Sequence, residues 1–499
     1  MVAVSGGVIA FRHLGAFVGE GRQPCRMDRR RPCPLPATPH VSRLAGPVDD
    51  KPSFAEESCD ILVAGGGIAG LTTALRLQQM PWTQPTRILL MDSKDRYVFQ
   101  PLLIDYAVSD VIELDDLAPT YTSLLAYADR ELPPIAPPFT YRATLDFLQA
   151  NISSIDNANT EITALLPTGR TTTVRYKSMV LSPGLRQEYT LPGQQNSPIA
   201  QRFATLEDAE ELQERLSRLA QGEKIVVVGG NYVGVELAAA LAEQGKNVTL
   251  FTGSRLLGGS QPETRQAAEE RLQHLAVDVR HARVEEITTD DVAGDGVHWR
   301  ASSDVDSTML EDGYLECSIV LVSGAGKGPS QQFCMARSSR LSVDSRLQAA
   351  PQVFCLGDAA ESGAPLTGQA AIAQAEVAAW NVFALQTSLP TAVWREFKSS
   401  APLGEFVALG REDAAGAVNT WRLPTIVPSA IPGLGAQMVA PFAELAADVG
   451  PELAVNVSGL RAAAIRRLAY LYRLPTLGHR LKVAARWARR LADWQESKM

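Results

Sequence analysis

With 499 residues, 45% of them apolar and 20% charged, the chain has the material for two to four globular domains and is not a low-complexity sequence. Its net charge of -8 conceals an asymmetry. Arg461 to Met499 carries ten Lys/Arg and two Asp/Glu, a local +8, which leaves 37 basic against 53 acidic residues, or -16, elsewhere. No nucleic acid partner is expected of such an acidic body, whereas the basic end suits an anionic surface.

Residues 1–57 are rich in Arg, Pro and Gly, with Arg29-Arg30-Arg31 in the middle, and match an organelle transit peptide. The apolar patch near Val8 to Phe11 is too short for a secretory signal; a tail with no address is the alternative. Six cysteines (Cys25, Cys33, Cys59, Cys317, Cys334, Cys355) form no C-x-x-C or C-x4-C pair, which argues against a disulfide framework and against a metal site. No apolar run reaches the ~18 residues that span a bilayer.

From Asp60 to Leu77 an apolar run ends in glycines and passes at once into a helix-forming segment, so strand, tight turn and helix are expected. Gly65 permits the turn, Gly67 lets backbone approach a pyrophosphate, and Gly70 lets the helix lie on the strand; the helix N-terminus offers N–H groups to the phosphates. Asp92 closes the next strand, Ile88 to Asp92, where its carboxylate suits a ribose. The loop from Ser93 to Leu103 is aromatic and apolar, and its Phe99 can line the ring end of a flavin. Leu132 to Pro138 holds four prolines in seven residues and is expected to be irregular. Glu161–Leu166 and Thr171–Tyr176 read as a hairpin turning at Thr168-Gly169-Arg170. Val180 to Gly184 then forms a further strand ending in glycine beside the cofactor.

At Lys224 the opening pattern recurs: Ile225 to Val228, then Gly229, Gly230, Asn231 and Gly234, then a helix. Asn231 stands at the second glycine position and is expected to adopt the left-handed backbone that Asn tolerates. The paired strand, Asn247 to Thr252, ends in Thr rather than an acid, with Arg255 beyond, so a 2′-phosphate is not repelled there and NADPH is as acceptable as NADH. Ile319 to Gly324 is the matching late strand. Gln352 to Asp358 is a strand ending in Gly357-Asp358, whose carboxylate can hold a ribityl hydroxyl next to a following helix N-terminus. Residues from about Trp421 to Val457 look loosely structured. At the end, Leu481, Ala484, Ala485, Ala488, Leu491 and Trp494 fall at helical spacing, with Trp487 beside them and Lys482, Arg486, Arg489 and Arg490 interleaved. This is a basic amphipathic helix suited to a membrane surface, with packing on the protein's own surface and solvated arginines as the alternative.

Two such folds with a late Gly-Asp strand follow the plan of the two-domain flavoprotein disulfide reductases, and the missing cysteine pair requires another electron acceptor. Within that superfamily, from about Cys59 to Trp494, the chain resembles the type II (alternative) NAD(P)H:quinone oxidoreductases. The resemblance rests on Arg96 to Leu103, Gly234 to Ala239, Leu356-Gly357-Asp358, and the tail Arg467 to Thr476 with Gly478 to Val483. That tail, with Leu403-Gly404-Glu405 and Leu409-Gly410-Arg411, is similar to the plant chloroplast branch. The resemblance implies an α/β fold with two Rossmann-like domains: residues 58–190 and 341–400 for FAD, 191–340 for NADPH or NADH, and 401–499 ending in a membrane-association helix. It further implies hydride transfer to FAD and reduction of a demethylphylloquinone- or plastoquinone-like membrane quinone without proton pumping. Glu236 matches the acid near the nicotinamide, and Gln369 the first glutamine of an Ala-Gln-x-Ala-x-Gln quinone segment, in which Gly368 and Ala373 replace the first Ala and the second Gln and Gln374 comes one place later. The expected location is the chloroplast, with the mitochondrion as a second address, peripheral to a membrane or plastoglobule; a homodimer is compatible with the chain. A reductase of a soluble acceptor and a flavin-bearing sensor without turnover are the rival readings.

Overall fold

The first run, β1 (Ala55–Ala64), buries Ile61, Leu62 and Val63 completely, because neighbouring layers cover both of its faces. It is followed by α1 (Ile68–Gln78), whose Ala69, Leu71, Ala74 and Leu77 face the sheet, and by β2 (Thr86–Asp92). The loop after Asp92 carries α2 (Leu103–Val108), α3 (Leu114–Leu117) and α4 (Tyr121–Glu131), the last begun by Thr120, whose side chain accepts from the Ser123 N–H. Then come β3 (Ala143–Gln149), β4 (Asn151–Asp156), β5 (Glu161–Leu165) and β6 (Thr171–Leu181). The computed structural model describes residues 55–109, 112–132, 141–187, 191–290, 294–301, 312–323, 326–327, 340–399, 404–419 and 454–497.

The first sheet runs in the order Gln348–Ala350, Val353–Cys355, β6, β1, β2, β3, and the five strands from Val353–Cys355 to β3 are joined in parallel. The expected hairpin is present: β5 and β6 pair antiparallel, Glu161 opposite Arg175, around Gly169. Chain order and space order part ways between β1 and β2 on one side and β6 on the other. Such a switch point leaves a crevice at the strands' carboxyl ends.

The second sheet, Asp278–Arg280, Asn247–Phe251, Lys224–Val228, Ile319–Val322 and Ala200–Arg202 in spatial order, is parallel throughout. Its strands lie in sequence between β6 and Gln348–Ala350, so the second fold is inserted into the first. It is packed by α5 (Leu206–Arg218), begun by a Thr205/Asp208 capping box, α6 (Tyr232–Glu243) and α7 (Pro262–His274). The chain then gives α8 (Gly368–Gln386), which returns to α1, and a three-stranded antiparallel sheet, Gly404–Ala408, Ala414–Asn419 and Ala454–Ser458. The last four residues of the stretch expected to be loose are therefore strand; residues 420–453, like 133–138, lie outside the described residues.

Two helices close the chain, α9 (Gly459–Arg473) and α10 (Leu477–Ser497). Glu131 accepts from the N–H groups of Leu477 and Gly478 at 2.9 and 2.7 Å and so caps α10 from another element. Here the expectation of a solvent-facing basic stripe is corrected at Arg486 and in part at Lys482, while Arg489 is exposed. Arg486 pairs with Glu113 and, at 2.9 Å, with the fully buried Asp116, and Lys482 faces Asp115 at 3.9 Å. Val483 and Trp487 are buried in the main core, so Trp487 is not an interfacial residue. The physical reason is an acidic patch on α3 that draws these cations inward, which sequence spacing within α10 does not reveal. The apolar stripe itself does face outward: Leu481, Ala485 and Ala488 are exposed. The side chains of Arg490, Leu491 and Trp494 lie outside the described residues.

Candidate functional site

At the carboxyl end of β1 the chain turns through Gly65, whose φ of +102° is strained for any side chain. A Cβ there would lie 2.3 Å from the Ser182 carbonyl oxygen, and one on Gly70 would lie 1.8 Å from the Gly65 carbonyl oxygen. At Gly67, by contrast, nothing comes within 4 Å of the added atom. Gly65 and Gly70 are thus tied to the protein's own packing, while Gly67 leaves room for something else. No side chain caps α1, so its first N–H groups point toward that room unclaimed, as a pyrophosphate requires. Asp92 sits at the same loop: Oδ2 accepts from the Gly66 N–H at 2.6 Å and Oδ1 from the Lys94 N–H at 2.9 Å, which fixes the carboxylate and leaves it lone pairs for hydroxyls.

The Gly357-Asp358 turn arrives beside α1, with a Cβ on Gly357 placed 3.2 Å from that of Ala69 and one on Gly368 placed 3.2 Å from Ile68. The N-termini of α1 and α8 therefore converge, and Arg76 ties the two helices to each other through Glu376 at 2.9 Å. Gln374 is the internal brace: its Oε1 accepts from the Gly357 N–H at 2.7 Å and its Nε2 donates to Ser362 at 2.9 Å. Asp358 is half-buried, and that burial raises its carboxyl above the usual range against the pull of Arg340. Gln369 donates to the Gly404 carbonyl at 2.9 Å, joining α8 to the last sheet. Gly184 lies two residues past Ser182 with open space where a side chain would stand. Phe99 lies elsewhere, almost wholly buried, its ring edge-on to Tyr470 at 5.8 Å; its side chain is core, because α9 covers the loop.

The second fold repeats the device. A Cβ on Gly234 would lie 1.9 Å from the Gly229 carbonyl oxygen, and one on Gly230 2.2 Å from Thr252 Oγ1. The left-handed residue is Gly229, at φ +122°, and not Asn231, which is extended at φ -80°. Asn231 is instead the N-cap of α6: its Oδ1 accepts from the Gly234 N–H at 2.9 Å and its Nδ2 donates to the Ser323 carbonyl at 3.0 Å. Leu257 N donates to the Gly230 carbonyl at 2.8 Å, folding the segment with the exposed Arg255 over this loop. Gly324 lies outside the described residues.

Glu236, on α6, is half-buried. Its Oε1 accepts from the Ala408 N–H at 2.8 Å; burial raises its carboxyl, opposed by Arg466 and the Ala408 N–H and reinforced by Asp105. Cys59, Cys317 and Cys355 are buried, unpaired, and pushed up to about 12 by burial, so each stays a thiol.

Residues 59–379 match the family described as Pyridine nucleotide-disulphide oxidoreductase. The chain belongs to that family. This oxidoreductase is 30% identical over 454 residues to "Demethylphylloquinone reductase NdbB" of Synechocystis sp., covering 87% of the chain and 97% of the relative. It is 28% identical over 458 residues to "Alternative NAD(P)H-ubiquinone oxidoreductase C1, chloroplastic/mitochondrial" of Arabidopsis thaliana, covering 86% of the chain and 80% of the relative. Among solved structures it shares the fold of NDH2 from Plasmodium falciparum in complex with NADH, with a TM-score of 0.65 at 12% identity over 86% of the chain and 98% of that one. The expected type II resemblance, two-domain α/β fold, FAD cofactor and NAD(P)H substrate all hold.

The residues present fit FAD, as the open space at Gly67, the uncapped α1 and the convergent Gly357-Asp358 turn show. Bound there, the flavin supplies a two-electron carrier that takes up hydride. The oxidoreductase also uses two residues without any motif of their own. Ser182 donates from Oγ to the Gly65 carbonyl at 2.9 Å, and Ser323 from Oγ to the Val228 carbonyl at 3.0 Å, so each fold pins its glycine turn with a serine that directly follows the strand beside its first. The equal placement of Ser182 and Ser323, directly after the strand on Leu181 and Val322, is the signal that was there to find.

Proposed function

We propose that this protein passes two electrons from NAD(P)H through FAD to a prenyl quinone held in a lipid surface, without moving protons across it. The observation that carries this is a row of exposed apolar side chains on the two terminal helices. On α9 these are Leu460, Leu468 and Tyr472, at spacings of eight and four; on α10 they are Leu477 and Leu481, four apart. Leu460 and Leu481 are 65% and 62% exposed. Insertion of such side chains into an apolar phase gains about 0.8 kcal/mol per methylene, enough in sum for reversible adsorption. Among the described residues no helix is long and apolar enough to cross a membrane, which favours peripheral attachment. The names of the two relatives support a quinone acceptor, of the demethylphylloquinone or plastoquinone kind, and a chloroplast or mitochondrial address.

In this reading Glu236 positions the nicotinamide end and handles a proton, and Gln369 meets the quinone ring. The nicotinamide donor is NADPH. Residues 252–255 are Thr-Gly-Ser-Arg, without a carboxylate, and Arg283 Nε lies 3.6 Å from where a Cβ on Gly253 would be, so a guanidinium adjoins the loop that would take a ribose 2′-phosphate, with Arg255 two residues on. The test compares wild type with Leu468→Glu/Leu481→Glu on liposomes carrying a long-chain prenyl quinone and, separately, on a short water-soluble quinone. The double variant is expected to float free of the liposomes and lose the first activity while keeping the second. Unchanged reduction of the lipid-borne quinone would sink the proposal.

A further inference from the structure

Between α2, α6 and the turn at residues 408–411 lies a cavity of about 20 Å³, lined among others by Ile104, Asp105, Ser109, Glu236, Glu243 and Arg411. One water needs roughly 10–15 Å³ and two to four polar partners, and this space offers both. We propose that Asp105 and Glu236 are the two ends of a proton entry through this cavity, Asp105 toward solvent and Glu236 toward the reacting rings, from which the proton passes to the quinone as it is reduced.

The demand for such a path follows from the balance of the proposed reaction, on which this inference rests. NAD(P)H gives up a hydride, two electrons and one proton, whereas a quinol holds two electrons and two protons. One proton must therefore come from water in each turnover. Asp105 reaches solvent, with a quarter of its side chain exposed, and Glu236 is half-buried at the other side.

Charge accounting singles out this pair. Arg466, 5% exposed, approaches Asp105 Oδ2 with its two terminal nitrogens at 3.5 and 3.4 Å, too long for a committed bidentate pair, and its Nε donates to the Tyr470 hydroxyl at 3.3 Å. Its charge is thus shared between Asp105 and Glu236, and two carboxylates around one buried guanidinium favour holding one proton between them. Of the other charged groups nearby, Arg411 also lines the cavity and the Arg467 charge lies near Asp105, while the rest are committed. Glu243 takes Arg271 at 3.1 Å and the Arg411 N–H, Glu405 takes the Tyr232 hydroxyl at 3.0 Å and the Gln261 N–H at 2.8 Å, and Arg467 donates to the Arg411 carbonyl. Arg271 also meets Asp413 at 3.2 Å. A Cβ on Gly410 would lie 2.5 Å from Glu243 Oε1, so that turn is fitted to the carboxylate it covers. Asp105 is a positioning residue here: it acts through Glu236.

The test uses the FAD-loaded protein. Infrared difference spectra across a pH titration identify the Glu236 carboxyl band as the one lost in Glu236→Gln. In Asp105→Asn the remaining negative charge has Arg466 to itself, so the midpoint of that band is expected to fall by at least one pH unit. The solvent deuterium isotope effect on reduction of a short soluble quinone is expected to rise at least twofold, with flavin reduction by NAD(P)H, which takes no proton from water, as the internal reference. Asp105→Glu keeps the carboxylate and is expected to restore both readouts, which separates proton entry from mere folding. An unmoved Glu236 midpoint together with an unchanged isotope effect in Asp105→Asn would overturn the inference. Failure of the proposed function shows differently: wild-type flavin bleaches but no quinone reoxidises it.

Discussion

Two glycines three residues apart, Gly67 and Gly70, should fail for opposite reasons when each gains one methyl group. In Gly70→Ala the new Cβ would stand 1.8 Å from the Gly65 carbonyl oxygen and 2.5 Å from Ser182 Oγ, so α1 must lift off the turn that starts it. Overpacking of this kind costs about 3 kcal/mol, a large share of the roughly 5–15 kcal/mol that holds a domain folded. In Gly67→Ala nothing lies within 4 Å of the added atom and the backbone, at φ -63°, suits alanine, so the apoprotein should change by no more than about 0.5 kcal/mol. The methyl group instead occupies the approach to the pyrophosphate, and FAD affinity should drop by about 1–3 kcal/mol, or roughly 5- to 150-fold. Differential scanning fluorimetry of deflavinated protein reads the first quantity, and the quenching of flavin fluorescence on rebinding reads the second. A Gly67→Ala protein that melts early, or that rebinds FAD as wild type does, would refute the assignment of that space to the cofactor.

Arg486→Ala leaves the buried Asp116 carboxylate without its partner at 2.9 Å, a loss of about 3 kcal/mol once the partial exposure of Arg486 is allowed for; amide protection along α10 should fall about a hundredfold, and Asp116→Asn should recover much of it. Burial lowers His479 from 6.5 to about 4, so the undocked helix binds a proton before the docked one does. Docking of α10 is then at full strength above 6.5 and weakens by up to about 1.4 kcal/mol per pH unit as pH falls toward 4, which Trp487 emission, read against Trp487→Phe, should follow and His479→Asn should flatten. Arg283→Ala should weaken binding of 2′,5′-ADP about tenfold while leaving 5′-AMP unchanged, both by calorimetry; equal losses for both would place Arg283 outside the 2′-phosphate position.

The elements nearest the cofactor were the most legible in the sequence, because a glycine between an apolar run and a helix has few other uses. Gly65, Gly70, Gly229 and Gly234 stand where their spacing put them, and Gly357-Asp358 meets α1 as a late strand should. What escaped depends on contacts between distant segments. Gln374 looked like a displaced member of a quinone motif, yet it holds the Gly357 N–H across the site. Asn231 was read by its backbone tolerance, while its side-chain oxygen, which makes it a helix cap, decided its conformation. Helical periodicity revealed that α10 has a greasy stripe, but not that Val483 and Trp487 on its other side would be covered by the protein itself. Nor does any motif announce Arg466, whose partner Asp105 lies 361 positions earlier.

The inward pairing of Lys482 and Arg486 bears on how the proposed lipid attachment responds to ionic strength. A helix attached through unpaired lysines and arginines washes off in concentrated salt, since counterions screen such attraction beyond about 10 Å at 0.1 M. Here Lys482 and Arg486 already face Asp115, Asp116 and Glu113, while Leu477 and Leu481 project outward together with Arg489. Attachment through those leucines should survive a sodium chloride rinse and yield to mild detergent.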